Sequence, residues 1–320
     1  YEPCPVSLDN NSEPPPSRMK AIAVPCAGAL PNVPAIDAEN CLHLNGKKKE
    51  CQACKEACMF DAIDFSEKDE TLDLEVSAII VATGFDMLDL KKLSQYGYNQ
   101  KDNVYTAMEF ERLYAENGPT EGKLILRDGE TPKTIGIIHC AGREEQGYCS
   151  AVCCMYSTKF SHFLKHKLPE AKIKEFHSDL CIPGKSHQKF YQEALKKEIE
   201  FIRCHNIQDI SVEKKNGSLQ VNYQNGNIEK NTFKANMIIV APAMLPGKDT
   251  KNLAETLGLS QDDKGFFATK SKELSPVATD VEGIFIAGCA EGPKDIPDSI
   301  AQAEAAVGKI MNLSQGKNNE

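Results

Sequence analysis

Nine of the 13 cysteines are spaced as cluster ligands rather than as disulfide partners. Cys41, Cys51, Cys54 and Cys58 form one group with Cys4 upstream, and Cys140, Cys149, Cys153 and Cys154 form a second. Cys51-x2-Cys54-x3-Cys58 lets a tight turn aim its thiolates at one small volume. A four-iron, four-sulfide cubane needs four such soft ligands close together. Cys4 is followed by Pro5, as at the end of the bacterial ferredoxin run Cys-x2-Cys-x2-Cys-x3-Cys-Pro, whose last cysteine ligates the other cluster. Two ligand sets stay open. With cross-ligation, Cys4, Cys41, Cys51 and Cys54 share one cluster, and Cys58 reaches to another completed by cysteines before Tyr1. Otherwise the set is Cys41, Cys51, Cys54 and Cys58. The competing chemistry is structural zinc, which more commonly shows two separated Cys-x2-Cys knuckles; here there is one, extended by x3-Cys.

Cys140 ends an apolar run, where a second dinucleotide fold would place its Gly-rich phosphate loop. The pattern from Tyr148 to Lys167 reads as a helix, with Cys149 and Cys153 one turn apart near its start. The positive end of that helix stabilises thiolate. Adjacent Cys153 and Cys154 cannot share a regular helix face, so convergence of all four requires a distorted or off-helix first turn. A redox disulfide or buried small residues are the alternatives. Of the other cysteines, Cys26, Cys181 and Cys204 read as small buried hydrophobes. No G-x-G-x-x-G occurs in the chain, and Ile138 is followed by His-Cys-Ala-Gly-Arg-Glu-Glu. No ordinary pyrophosphate cradle is expected there.

A third constellation suits a flavin. Ala82-Thr83-Gly84 closes one apolar run and Gly288-Cys289 closes another. Gly292-Pro293-Lys294-Asp295-Ile296-Pro297 then opens a helix, with Asp295 as its cap and Pro297 in its first turn. Free N–H groups there can stabilise negative charge on a reduced flavin. Ala82, Thr83, Gly84, Gly288, Cys289, Lys294, Asp295, Ile296 and Gln302 are the candidate FAD residues.

The elements that position these residues differ along the chain. Residues 1–68 are rich in Pro, Cys and Lys without a long apolar period, and such a segment needs a metal staple. Four continuous, β-branched runs follow: 77–84, 134–139, 235–242 and 283–288. They read as strands buried on both faces of a mostly parallel sheet. Helices are expected at Tyr148–Lys167, His187–Glu198 and Ile296–Met311. Alternating residues in 207–234, with Asn216-Gly217 and Asn225-Gly226, read as a β-meander. The expected class is α/β, a partial two-dinucleotide-domain flavoprotein fold behind a ferredoxin-like segment. Its divisions are 1–68, a truncated four-iron segment; 69–133, part of an FAD domain; 134–234, a pseudo-dinucleotide domain with the second cluster and meander; 235–312, the rest of the FAD domain; and a tail, 313–320.

The chain has 320 residues, 41% hydrophobic and 26% charged, with a net charge of −9, ordinary for about two globular domains. No segment concentrates Lys and Arg as a nucleic-acid surface does. No run approaches the roughly 18 apolar residues of a membrane span, and no basic-then-apolar leader opens the chain. A start at Tyr1 reads as the interior of a longer polypeptide or as a processed form.

Together these residues resemble the A-subunit of heterodisulfide reductase and its relatives, including the quinone-interacting membrane-bound oxidoreductase subunits. The resemblance covers nearly the whole chain. It rests on Val33-Pro-Ala-Ile-Asp37 with Glu39-Asn-Cys41, on Ile80-Val-Ala-Thr-Gly-Phe85, Tyr96-Gly-Tyr98 and Glu109-Phe-Glu-Arg112, on Tyr148-Cys-Ser and Val152-Cys-Cys-Met-Tyr156, and on Gly283-Ile-Phe-Ile-Ala-Gly288 and Gly292-Pro-Lys-Asp-Ile-Pro297. It implies a thioredoxin-reductase-like FAD domain interrupted by a ferredoxin-like insert, with a further four-iron cluster matching Cys140, Cys149, Cys153 and Cys154. It implies an oxidoreductase in which FAD hands single electrons to [4Fe-4S] clusters, in some complexes by bifurcation to ferredoxin and to the CoM-S-S-CoB heterodisulfide, which is reduced on another subunit. Lys185 matches a family lysine near the flavin's reactive nitrogen. The implied partners are other subunits of such a complex, with ferredoxin or a hydrogenase or formate dehydrogenase electron-transfer subunit. The implied setting is an anaerobe's cytoplasm, peripheral to a membrane only through partners. The family's Gly-rich FAD segment is expected before Tyr1. The other readings are a relative serving a quinone or sulfur-metabolism module, an NAD(P)H-dependent flavoprotein, and a zinc-stapled interaction module.

Overall fold

The computed structural model describes residues 2–10, 13–14, 17–26 and 28–316. The chain divides into two units, residues 1–73 with 108–125 and residues 74–107 with 126–320.

Residues 1–73 of the first unit form only short elements, while its second stretch carries most of the helix Ala107–Tyr114 with Phe110 and Leu113 buried. Leu8–Asp9 pairs antiparallel with Arg18–Met19, and Ile22–Ala23 with Ala35–Ile36. A single helical turn spans Ala53–Glu56. Cys4, Ala21 and Ile22 are buried together, with Val6, Leu8, Ile36, Cys54 and Ile63 packed against them. A core this small is marginal by itself. It is joined by a largely buried ion pair, Arg112 Nη2 to Glu13 Oε1 at 2.8 Å.

The second unit is α/β, as expected from the apolar runs. Five parallel strands lie in the order Glu200–Arg203, Lys172–His177, Thr134–Ala141, Met237–Pro242, Val104–Thr106. Met237–Pro242 is buried throughout, and so is Thr134–Ala141 after its first residue, which is why these two strands read as continuous apolar runs. Lys172–His177 did not, because lysines alternate through its first half; Glu175 is nevertheless fully buried. The runs at 77–84 and 283–288 do not join this sheet. Ile79–Val81 and Ile284–Ile286 form a separate parallel pair.

Helices span Cys153–Lys167, His187–Lys196 and Ile296–Gly316. The first begins five residues later than the pattern from Tyr148 suggests. Ala151 adopts a left-handed φ of 58°, which a right-handed helix cannot contain, so Cys149 stands before the helix and not on its face. The meander is present as three antiparallel strands, Ser211–Lys215, Ser218–Gln224 and Lys230–Ala235. Asn216 and Gly217 turn the first hairpin with φ of 50° and 80°, both positive as a type I′ turn requires.

A methyl group at Gly217 would meet no atom within 4 Å, so Gly217→Ala tests the backbone alone. It is expected to cost roughly 1–2 kcal/mol by urea denaturation; unchanged stability would contradict the left-handed turn.

Candidate functional site

Cys4, Cys41, Cys51 and Cys54 line one cavity of about 340 Å³, walled otherwise by apolar groups such as Val6, Ile22, Ile36 and Phe65. Each thiol is brought there by a local device. The Cys41 amide donates to Asp37 O at 2.8 Å, closing a turn whose Asp37 carboxylate is bonded by the Asn40 side chain at 2.8 Å. Cys51 is held by its amide to Lys48 O at 2.9 Å and by its carbonyl to His43 Nδ1 at 3.1 Å. Cys54 lies in the helical turn Ala53–Glu56. Burial pushes the Cys54 thiol up, and the neighbouring Cys41 and Cys4 push it further, as acidic groups brought close together do.

Cys58 is not in the cavity wall. Its sulfur accepts the Ala62 amide at 3.4 Å, and the amides of Ala62 and Phe60 hold its thiol below the usual range. The wall of this cavity thus contains Cys4, Cys41, Cys51 and Cys54 and not Cys58. Met59 and Phe60 beside Cys58 are 91% and 84% exposed.

In the second unit, Cys140, Cys149 and Cys153 line a cavity of about 240 Å³ together with Arg143, Tyr148 and the backbone segment Ala241–Ala243. Cys140 sits at the end of its strand with a φ of 58°, followed by Gly142 at 86°. A left-handed non-glycine residue costs roughly 1–3 kcal/mol and persists where its surroundings over-determine it. The loop that carries Cys149 is pinned by Tyr148 Oη to Met244 O at 2.5 Å and by Ser150 Oγ accepting the Met244 amide at 3.0 Å. Arg143 lies beside Cys149 and Cys140 and is bridged to Asp179 at 3.3 Å, so a cation faces the thiols.

Cys154 is adjacent to this group but turned from the cavity wall. Its sulfur accepts the Cys181 amide at 3.3 Å. The Cys154 sulfur also lies 3.7 Å from Asp179 O. Neighbouring Cys154 and burial push the Cys153 thiol up, while Cys153 and His139 beside it push Cys154 down. His139 itself was missed by the spacing of the cysteines. Burial alone would lower it, but Cys154 and Glu175 beside it raise it to about 10. His177, by contrast, is driven down to about 4 by burial and by the charge of His139. A histidine interrupting a buried apolar strand next to a candidate ligand was the one available signal. Glu175, on another strand, gave none.

The scattered cysteines divide. Cys204 is buried, and burial pushes it up to about 12, as expected for an inert core thiol. Cys26 is exposed and Cys181 only half-buried, which corrects the expectation that both are core residues: Cys26 lies on a surface turn and Cys181 on the loop after Lys172–His177. Among the described residues, no three His, Cys, Asp or Glu side chains converge tightly enough for a single metal ion.

The flavin candidates are partly occupied by one another. Ala82, Thr83 and Gly84 follow the strand Ile79–Val81, and Thr83 lines a cleft of about 570 Å³ with Asp86 and Lys248. Lys294 Nζ is engaged by Gly288 O, Gly292 O and Glu291 Oε2, each at 2.9 Å. It therefore braces the loop that carries Gly288 and Cys289. Asp295 caps the helix Ile296–Gly316 through the Asp298 amide at 2.9 Å. Gln302 Nε2 reaches Pro276 O at 3.3 Å, while its Oε1 is buried without a partner. Lys185 is exposed on the loop before His187–Lys196. Ile79, Ile80, Ile296, Ile300, Val307 and Met311 are exposed apolar residues on these elements.

No family model matches the chain. It is 35% identical over 315 residues to the A-subunit of the H(2):CoB-CoM heterodisulfide,ferredoxin reductase of Methanothermobacter thermautotrophicus, covering 96% of this chain and 46% of that protein. It is 37% identical over 328 residues to the first iron–sulfur A-subunit of the CoB–CoM heterodisulfide reductase of Methanopyrus kandleri, covering 99% and 48%. The chain thus spans about half the length of the curated relatives it matches. Among solved structures, Lactococcus lactis thioredoxin reductase is similar over 74% of this chain and 65% of its own, with a TM-score of 0.46 and 16% identity. No helix among the described residues is long and apolar enough to cross a membrane.

Because Cys140 is held left-handed, Cys140→Gly is expected to keep or raise stability while lowering the iron bound by anaerobically reconstituted chain. Full iron retention in that variant would remove Cys140 from the ligand set.

Proposed function

We propose that this chain, which belongs to the heterodisulfide reductase A-subunit family, is an electron-transferring iron–sulfur flavoprotein segment of an oxidoreductase complex. The observation that carries the reading is the pair of small cavities, each walled by at least three cysteines and otherwise mostly by apolar groups or backbone. Cys4, Cys41, Cys51 and Cys54 would hold one [4Fe-4S] cluster, and Cys140, Cys149, Cys153 and Cys154 the other. When bound, such clusters take up and release single electrons, while FAD exchanges electrons in pairs or singly. The protein supplies the rest. Thiolates arrive on preformed turns, apolar side chains keep water from them, and Arg143 offsets part of the negative charge of the second site.

The flavin site would be shared with residues of the longer family members. Ala82–Gly84 and Gly288–Cys289 would approach the cofactor, Lys294 and Asp295 would fix the shape of the loop and helix start, and Lys185 would favour the anionic reduced ring. Cys140 stands where a nicotinamide-binding loop would need glycines, which disfavours NAD(P)H as the donor. The relatives' names make ferredoxin and the CoB-CoM heterodisulfide the first acceptors to examine, with bifurcation between them, through the other subunits of such a complex.

Anaerobic reconstitution with iron, sulfide and FAD tests the reading. About eight irons per chain are expected for two four-iron sites, falling to about four in Cys4→Ser and staying near eight in Cys58→Ser. The reverse pattern would restore the set with Cys58, and zinc without sulfide would overturn the redox function.

A further inference from the structure

A groove of about 990 Å³ runs between the helices Cys153–Lys167 and His187–Lys196, outside both cysteine cavities. Half-buried Met155, Tyr156 and Phe190 line it, together with Lys159, Lys189 and Glu193. Side chains tie the two helices together across it. The His162 ring stacks on Phe190 at 4.3 Å and donates from Nε2 to Phe190 O at 3.2 Å, while its Nδ1 accepts Lys197 Nζ at 3.0 Å. Lys159 Nζ is held over the rings of Phe160 and Phe163, 5.0 and 5.4 Å from their centroids, within the range of a cation–π contact. The groove is therefore shaped in advance. Its charge is also set apart from that of the chain. The two helices carry five lysines, Lys159, Lys165, Lys167, Lys189 and Lys196, against one acid, Glu193, while the chain as a whole has a net charge of −9.

We propose that this groove docks a small acidic protein carrying a one-electron iron–sulfur centre near its surface, and that the second cluster exchanges electrons with it there. Methionine and aromatic side chains are what the centre of a protein interface is enriched in. Lysines around such a patch steer an acidic partner onto it and fix its orientation. A concave apolar wall suits a protruding protein surface better than a flat lipid one. The position is what gives the docking a use. Met155 and Tyr156 follow Cys153 and Cys154 on the same helix, and Cys153 walls the second cysteine cavity. At the helical rise of about 1.5 Å per residue, Met155 lies roughly 3 Å along the axis from Cys153. The step is a bare electron transfer. The reduced cluster loses one electron and the oxidised carrier gains it, with no bond made or broken and no proton moved. The transfer rests on the second cysteine group holding a cluster; the docking does not.

The test uses the full chain after anaerobic reconstitution, with an acidic ferredoxin that carries two four-iron clusters as the probe. Calorimetric titration with oxidised ferredoxin reads the docking, and stopped-flow mixing of reduced chain with oxidised ferredoxin reads the transfer. Expected is a saturable association that weakens as salt rises. In Lys159→Glu/Lys189→Glu, affinity and transfer rate are both expected to fall roughly tenfold or more, with iron content and both reduced EPR signals as in wild type. If Lys159→Glu disturbs the helix, Lys189→Glu/Lys196→Glu, both at exposed positions, decides in the same way. Lys230→Glu/Lys272→Glu makes the same change in net charge at exposed lysines elsewhere and is expected to leave both readouts near wild type. Unchanged ferredoxin affinity in the groove variants, or an equal loss in the control pair, would overturn the docking. So would groove variants that lose self-association or binding to phosphatidylglycerol vesicles while keeping ferredoxin. Wild-type chain without a second reduced cluster would instead overturn the reading on which the transfer rests, whatever the binding shows.

Discussion

Several acidic thiols cannot share a small dry cavity as thiolates unless something neutralises them. In both cysteine sites this constraint is visible in the protein alone. Cys54 is pushed up by burial and by its neighbours Cys41 and Cys4. Cys153 is pushed up by Cys154 and burial, while Cys154 is pushed down by Cys153 and His139. The same low dielectric that makes such a group unfavourable when empty makes it a strong ligand set for a polycationic core. The turns around Asp37, the left-handed Cys140 and Ala151, and the pinned Tyr148–Ser150 loop all serve to impose the convergence.

The energetic weight differs between the two units. Within residues 1–73 the buried cluster is Cys4, Ala21 and Ile22 with a few half-buried neighbours, so a metal staple would supply much of the stability of that segment. In the second unit the five-stranded sheet has its own core. The cysteines there sit at the carboxyl edge of a strand already fixed by packing, the usual place for a ligand in an open parallel sheet.

Much of the chemistry was legible in the sequence because ligand spacing is short-range. Cys51-x2-Cys54 and Cys153-Cys154 needed only local turns to be read, and the central strands announced themselves through continuous β-branched runs. What was not legible depended on tertiary context. That Cys4 and not Cys58 lines the first cavity depends on the fold, which brings Cys4 beside Cys41 across 37 residues of chain. The start of the helix at Cys153 is decided by one left-handed residue, Ala151, which no propensity marks. Glu175 gave no signal in the sequence, and it is buried with His139 and Ser161 as its partners. The three hydrogen bonds by which Lys294, a candidate FAD residue, braces its loop were likewise not legible.

The central claim is that the two cysteine cavities are redox cluster sites. It is tested most directly by the EPR spectrum of the anaerobically reconstituted chain after dithionite reduction, integrated against bound iron and sulfide. The account expects paramagnetism from two distinct reduced four-iron clusters, one lost with Cys41 and the other with Cys153. A silent spectrum from chain that binds zinc in place of iron would contradict it.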